Sequence, residues 1–176
     1  MLKIFNTQLN GLFKGISEQE FPIEDAARLL AQAAIGDGNI YIHGFKEMQG
    51  ILPQALEGLE AIPNGKPLFQ DKQQMALSPV DRVLIASRYS HDSEAVSLAK
   101  QLQEEQIPFI ALSTITDEQQ EGIHDLADIH INLNVKRGLI PTETGERIGY
   151  PSLLVALYAI YAITLTLIDV MEELQE

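Results

Sequence analysis

The segment Asp81–Glu94, DRVLIASRYSHDSE, decides the fold of this chain. Its apolar run ends in a hydroxyl-rich stretch, an amphipathic segment follows at 95–105, and a second apolar run ends at Ser113. Unbroken apolar runs are typical of strands that are buried on both faces of a parallel sheet, so the pattern predicts strand, polar loop, helix and strand. Ligands of such sheets lie beyond the carboxyl ends of the strands. We therefore expect residues 87–93 and 113–114 to form the walls of one pocket.

Composition and charge restrict the class of protein. The chain has 176 residues, 45% of them hydrophobic and 21% charged, which favours a single globular domain over residues 1–176. A net charge of −13 argues against nucleic acid and anionic membranes as partners. Without cysteine there is no disulfide or thiolate zinc site, and we expect neither a metal nor another cofactor. The first residues contain no signal-peptide pattern, which favours a cytoplasmic protein.

A segment without charge, Ser152–Ile168, approaches the length of a membrane-spanning helix, which needs about 20 apolar residues. The flank that begins at Asp169 is acidic and contains none of the Lys or Arg typical of a cytoplasmic end. Helices that are apolar all round are usually buried, so we expect this one in the core or in a subunit interface rather than in a membrane.

Hydrophobic periodicity predicts the order of the elements. We expect loops at 70–78 and 134–150 and a short polar helix within 117–125. Helices are predicted at 2–17, 22–36, 47–59, 95–105 and 151–174, and strands at 39–43, 66–69, 83–86, 108–113 and 128–133. The alternation predicts an α/β fold, a three-layer α/β/α sandwich with a mainly parallel, flavodoxin-like sheet of about five strands. It has two N-terminal helices and a long apolar C-terminal helix, and right-handed crossovers place helices on both faces.

This order of elements resembles the SIS domain of phosphosugar isomerases and phosphosugar-binding regulators. Asp81–Ser87 is similar to the family's third core strand, Gly44 to its first loop, Ser113 to a threonine that ends the next strand, and Asp125–Asp128 to the approach to its last strand. The small phosphoheptose (sedoheptulose-7-phosphate) isomerases are most similar in size and layout, and the chain also resembles a bacterial subgroup of this length. The resemblance implies a phosphorylated sugar or similar small anion as ligand and a homodimer or homotetramer.

The strand ends, the resemblance and the charges of the loops together give the predicted ligand-binding positions. These are Gly44, Lys46, Ser87, Arg88, Ser90, Ser93, Ser113 and Thr114. Phe45 and Met48 replace small residues of the family and obstruct a close approach of the backbone to a phosphate.

Charged residues also distinguish these loops from the family pattern. Asp92 would repel a phosphate at the start of the following helix, and we interpret it as the N-terminal cap of that helix. Lys46 and Arg88 lie in the two converging loops. One hypothesis is that together they supply an anion site without backbone amides, and the alternative is that both are solvated surface residues.

The catalytic pair of the family is not matched. Phosphoheptose isomerases are thought to use a glutamate on the helix after the first loop and a histidine on the closing helix, for proton transfer between adjacent carbons. Alignment places Gly58 and Leu157 at those positions, which leaves Glu57 and His91 as candidates. Because one residue rotates a side chain by about 100° around a helix, Glu57 points elsewhere unless the register differs.

Three functions are therefore compatible with the sequence. The first is an SIS-like module that binds a phosphosugar without catalysis. The second is a phosphoheptose-type aldose–ketose isomerase with a rearranged site. The third is an oligomeric interaction protein whose pocket is vestigial.

Overall fold

The structure is a computed structural model that describes residues 1–174. A five-stranded parallel sheet forms its middle layer. Its helices are α1 (Leu2–Ser17), α2 (Glu20–Ile35), α3 (Ile51–Glu57), α4 (Ser93–Glu104), α5 (Ile123–Leu126) and α6 (Ser152–Glu173). Its strands are β1 (Ile40–Gly44), β2 (Gly65–Pro67), β3 (Phe69–Gln70), β4 (Gln73–Gln74), β5 (Arg82–Tyr89), β6 (Phe109–Thr114), β7 (Ile129–Asn132), β8 (Ile140–Pro141) and β9 (Arg147–Ile148).

The strand order of the main sheet is β2-β1-β5-β6-β7, and every neighbouring pair is parallel. Ile42 of β1 lies opposite Leu84 of β5 and opposite Pro67 of β2. The apolar run of β5 occupies the central strand, as its lack of alternation predicts. The prediction of an α/β fold with a mainly parallel sheet of five strands is confirmed.

Alternate residues of the strands face two separate cores. Leu84 and Ala86 of β5 belong to the core beneath α1, α2, α3 and α6, whereas Val83 and Ile85 belong to the core beneath α4 and α5. The period of two in a strand produces this division, and helices therefore cover both faces of the sheet.

Helix α6 is the one described helix that is long and apolar enough to cross a membrane, and 44% of its most apolar window is buried in the protein. Core helices of soluble proteins pass the same test. Its buried face includes Val155, Ile163 and Leu167, and it packs mainly against α2. The prediction of burial therefore agrees with the packing of this face. The opposite face leaves Leu154, Tyr161 and Leu165 between 42% and 53% exposed.

Three local expectations are corrected. The loop predicted at 134–150 contains the antiparallel β8–β9 hairpin. The helix predicted at 47–59 is a 3-10 helix at Lys46–Gly50 followed by the short α3, whose early Pro53 lacks the N–H that an α-helical interior requires. The loop predicted at 70–78 contains the β3–β4 hairpin. Asp71 and Lys72 form its turn with φ of 50° and 64°. Such turns usually carry Asn-Gly or Asp-Gly, so the Asp-Lys pair gave no signal.

Candidate functional site

The candidate site lies beside β1 and β5, the neighbouring strands between which the order of strands in the sheet reverses. β1 is followed by α3 on one face of the sheet and β5 by α4 on the other, so a crevice forms beyond the carboxyl ends of these strands. A cleft of about 500 Å³ is found here, which we call the β1–α4 cleft. Its lining comes from residues 43–46 and Gln49, from Phe69 and Gln74 of the β3–β4 hairpin, and from Ser93, Glu94, Ser97, Leu98 and Gln101 of α4. A smaller recess of about 170 Å³ lies between Phe45, Lys46 and residues 92–94.

Lys46 supplies the positive charge of this cleft. It is the first residue of the 3-10 helix that follows β1, has a φ of 53°, is exposed, and lines both the cleft and the smaller recess. No ion pair among residues 1–174 includes its ammonium group. Lys46 is therefore available to an anion, at the position where parallel sheets bind ligands.

Arg88, by contrast, is already paired with a residue that the sequence analysis did not single out. Its guanidinium donates two hydrogen bonds to Glu47, with Nε to Oε1 at 2.6 Å and Nη2 to Oε2 at 2.7 Å. These bonds lower the pKa of the Glu47 carboxyl and raise that of Arg88. The two cations expected to act together are thus in different environments, because Glu47 neutralises one of them. The Glu47–Arg88 pair joins the 3-10 helix to the end of β5.

The start of α4 differs from the expectation in its capping. Asp92 occupies the N-cap position, but its side chain makes no capping hydrogen bond. Its Oδ2 instead accepts from the Ser87 hydroxyl at 2.8 Å and from the Tyr89 N–H at 3.2 Å. The first-turn amides of α4, which have no helical carbonyl as partner, are therefore left without a side-chain cap in the described structure. Ser93 and Glu94 of this turn line the cleft.

The other hydroxyls predicted as pocket walls are enclosed in the protein. Ser87, Ser113 and Thr114 are 0% exposed and Ser90 is 2% exposed. Ser113 hydrogen-bonds to His130 Nε2 at 2.7 Å, Thr114 Oγ1 accepts from the Val135 N–H at 3.0 Å, and Ser90 bonds to His124. Each hydroxyl thus bonds to a buried or partly buried polar partner and holds neighbouring loops together. Of the eight predicted positions, Gly44, Lys46 and Ser93 line the cleft.

His43 lines the cleft, although the sequence analysis did not name it as a candidate. Its ring lies between Phe45 and Phe69, with centroid distances of 4.6 Å to each. Burial lowers its pKa below 6.5, and the nearby Glu94 opposes this only in part. Burial therefore favours the neutral form of His43, which lines the cleft, where its ring nitrogens can exchange hydrogen bonds with a ligand. Its place at the end of β1, directly before Gly44, was the signal that pointed to it.

Comparison with known proteins assigns the chain to a family. The family model described as "Domain of unknown function (DUF2529)" matches residues 1–171. The chain belongs to this family. Over 174 residues it is 39% identical to the uncharacterized protein YwjG of Bacillus subtilis (strain 168). The matched region covers 98% of this chain and 99% of that protein.

Solved structures share the fold of this DUF2529 protein. MJ1247 of Methanococcus jannaschii, whose structure was used to infer the function of 3-hexulose-6-phosphate isomerase, has a TM-score of 0.61 at 15% identity, over 99% of this chain and 90% of that one. The Vibrio vulnificus NanR protein complexed with ManNAc-6P has a TM-score of 0.64 at 13% identity, over 96% of this chain and 63% of that one. At such identities the likeness establishes the sugar-isomerase fold alone.

The two catalytic candidates lie away from the cleft of the DUF2529 protein. Glu57 is exposed at the last position of α3, which begins near the carboxyl ends of the strands and ends near the start of β2. The ring of His91 stacks on Tyr89 at 5.7 Å, and Nδ1 lies 3.3 Å from the Thr116 hydroxyl. Neither side chain is among those that line the cleft.

Proposed function

We propose that this protein binds a phosphorylated sugar in the β1–α4 cleft and does not isomerise it. The observation that carries the proposal is the position of Lys46, an exposed ammonium group next to the uncapped first turn of α4. A lysine and a helix N-terminus both favour a phosphate group, the first through its charge and the second through its amide N–H groups. The phosphate would lie between Lys46 and Ser93, in a recess that the carboxylates of Asp92 and Glu94 also line. Asp92 Oδ2 already accepts hydrogen bonds from Ser87 and Tyr89, which offsets part of its repulsion of a phosphate.

The remaining lining suits the sugar. Three amide side chains, Gln49, Gln74 and Gln101, line the cleft and offer both donors and acceptors to hydroxyl groups. His43 adds a neutral imidazole, and Phe45 and Phe69 add apolar ring surface beside it. A polar rim around a partly aromatic floor is typical of a small-molecule site that orients its ligand through a few hydrogen bonds.

The choice of a binding protein over an isomerase depends on the positions of Glu57 and His91. Proton transfer between adjacent carbons requires a base within hydrogen-bonding reach of the substrate, and neither predicted candidate lines the cleft. His43 and Glu94 do line it, so they are the bases whose replacement would test for any isomerase activity. Among phosphosugars, sedoheptulose 7-phosphate is the first candidate because the chain resembles the phosphoheptose isomerases in size and layout. We also propose that residues 1–176 form a single domain and that the protein acts in the cytoplasm as a homodimer or homotetramer.

Isothermal titration calorimetry with sedoheptulose 7-phosphate and other sugar phosphates tests the proposal. Replacing Lys46 by alanine should weaken binding about tenfold, because one charge-assisted hydrogen bond to the phosphate contributes about 1.5 kcal/mol. Lys66→Ala removes the same charge from an exposed position on β2 and should leave the affinity unchanged. Equal affinities for wild type and Lys46→Ala would reject the cleft as the phosphate site.

A further inference from the structure

A second surface of the molecule carries two cations on a firmly held loop. The loop Asn134–Leu139 follows β7, and its apolar residues Val135 and Leu139 are only 1% and 7% exposed. The Val135 N–H donates to the buried Thr114 hydroxyl at 3.0 Å, and the Asn134 N–H donates to Asn132 Oδ1 at 3.0 Å. The loop is thus fixed at its start by hydrogen bonds and at both ends by burial.

The far end of the loop is held by Arg147 of β9. Its guanidinium donates from Nε to the Gly138 carbonyl at 2.6 Å and from Nη2 to the Leu139 carbonyl at 3.0 Å. A Cβ atom at Gly138 would lie 2.6 Å from the Ile148 carbonyl oxygen, so the loop packs closely against β9. The guanidinium of Arg147 therefore bonds to the end of the loop rather than to a ligand, and it fixes the position of Gly138 and Leu139.

Between these anchors the loop presents Lys136 and Arg137 to solvent. No ion pair among the described residues includes either side chain, whereas Lys14, Arg28, Arg88 and Lys100 each have a carboxylate within 4.0 Å. Two adjacent cations without a counterion repel each other, and an anion placed between them relieves that repulsion.

The distribution of charge makes this surface unusual for the chain. The net charge is −13, yet the segments 1–17 and 129–142 contain no aspartate or glutamate. The structure brings these segments together, since Gln8, Gly11 and Leu12 of α1 line a cavity of about 510 Å³ with Asn134, Lys136 and Arg137. A concave surface that collects positive charge in an acidic protein concentrates small anions.

We propose that this cavity, which we call the α1–loop site, binds a small phosphate-bearing molecule, separately from the β1–α4 cleft. The Arg137 guanidinium offers a planar pair of donors that matches phosphate oxygens, and Lys136 adds a second charge. Gln8 and Asn134 contribute amide groups at the edge. The site is formed by α1 and the loop after β7, whereas the cleft is formed by the end of β1, the β3–β4 hairpin and α4, so the two sites share no lining residue.

NMR titration of the full-length ¹⁵N-labelled protein with inorganic phosphate, at constant ionic strength, tests this site. We expect saturable amide shifts at residues 134–139 and at Gly11. In the Lys136→Ala/Arg137→Ala variant the apparent Kd should rise about tenfold or more, since both charged donors are lost. Lys66→Ala/Lys100→Ala removes the same charge from exposed lysines outside the α1–loop site and should titrate like wild type.

Lys46→Ala separates the two sites in the same experiment. The shifts at residues 134–139 should persist in this variant, whether or not the β1–α4 cleft binds phosphate. The proposal is overturned if these shifts do not saturate, if the Lys136→Ala/Arg137→Ala variant titrates like wild type, or if Lys46→Ala abolishes them. Both substituted side chains are exposed, so a dispersed spectrum of the variant serves to show that it is folded.

Discussion

At the scale of single residues, burial lowers the pKa of two histidines of this protein in different surroundings. His43 faces the β1–α4 cleft between two phenyl rings, where a neutral imidazole can both donate and accept hydrogen bonds. His130 lies on β7, where it is hydrogen-bonded to the buried Ser113 and its ring centroid lies 5.9 Å from that of His124. Burial, aided by His124 and opposed by Asp125, lowers the pKa of His130 to about 4.

The low pKa of His130 predicts a pH dependence of folding. Between pH 6.5 and about 4 the unfolded chain binds a proton at this residue that the folded protein does not, so the free energy of unfolding falls as the pH is lowered through this range. The loss approaches about 3 kcal/mol near pH 4 and does not grow below it. Urea unfolding at pH 7 and pH 4.5 should show a smaller acid-induced loss in His130→Gln than in wild type. Equal losses in both proteins would refute this role.

At the scale of elements, a single carboxylate joins the start of β5 to the chain segments beside it. Asp81 is 4% exposed, and its oxygens accept from the Asn39 N–H at 2.8 Å, from the Ser78 N–H at 2.7 Å and from the Ser78 hydroxyl at 2.8 Å. Burial by itself would raise the pKa of Asp81, but these hydrogen bonds outweigh it and the pKa is lowered. The ionised carboxylate therefore stabilises the entry of the chain into the central strand.

Replacing Asp81 by asparagine should destabilise the protein by about 2 kcal/mol, because an amide NH2 would face N–H donors that require an acceptor. Chemical denaturation at pH 7 measures this difference. Asp37→Asn is the matched control, since Asp37 is exposed and should tolerate the change within about 0.5 kcal/mol. Similar stabilities of the two variants would contradict the role of Asp81.

Local elements of this fold are predictable from the sequence, whereas contacts between distant side chains are not. The β5–α4–β6 unit was predicted because its apolar runs and amphipathic helix are local patterns. The side-chain partners were not predicted, because they are distant in sequence: Arg88 pairs with Glu47 across 41 positions and Ser90 with His124 across 34. The position of Lys46 at the end of β1 was predictable. The burial of Ser87 and Ser113 was not, since a hydroxyl near the end of a strand suits either a ligand or a polar partner within the protein, which is Asp92 for Ser87 and His130 for Ser113.

At the scale of the whole molecule, α6 leaves one apolar face uncovered. Leu154, Tyr161 and Leu165 are 42% to 53% exposed on a helix whose opposite face is in the core. Large apolar side chains at recurring positions of one helix face are typical of a protein–protein contact. The predicted homodimer or homotetramer would bury this face.

Light scattering after size-exclusion chromatography should therefore show a dimer or tetramer, and Leu165→Glu should shift it towards the monomer by placing a charge in the contact. Val80→Glu introduces the same charge at a site of similar exposure, 51% against 53%, outside α6 and should keep the wild-type assembly. A monomeric wild-type protein would contradict the predicted homodimer or homotetramer.

The claim that the β1–α4 cleft binds a phosphorylated sugar is tested most directly by thermal unfolding of the whole protein with sugar phosphates, including sedoheptulose 7-phosphate. Inorganic phosphate at equal concentration is the control, since it accounts for binding at the α1–loop site. A ligand present at 100 times its Kd stabilises the folded state by about 2.7 kcal/mol, which raises the Tm by about 5 to 10 °C for a chain of this size. We predict such a rise with at least one sugar phosphate, beyond that with inorganic phosphate, and its loss in Lys46→Ala. No rise beyond the phosphate control with any sugar phosphate would contradict the claim.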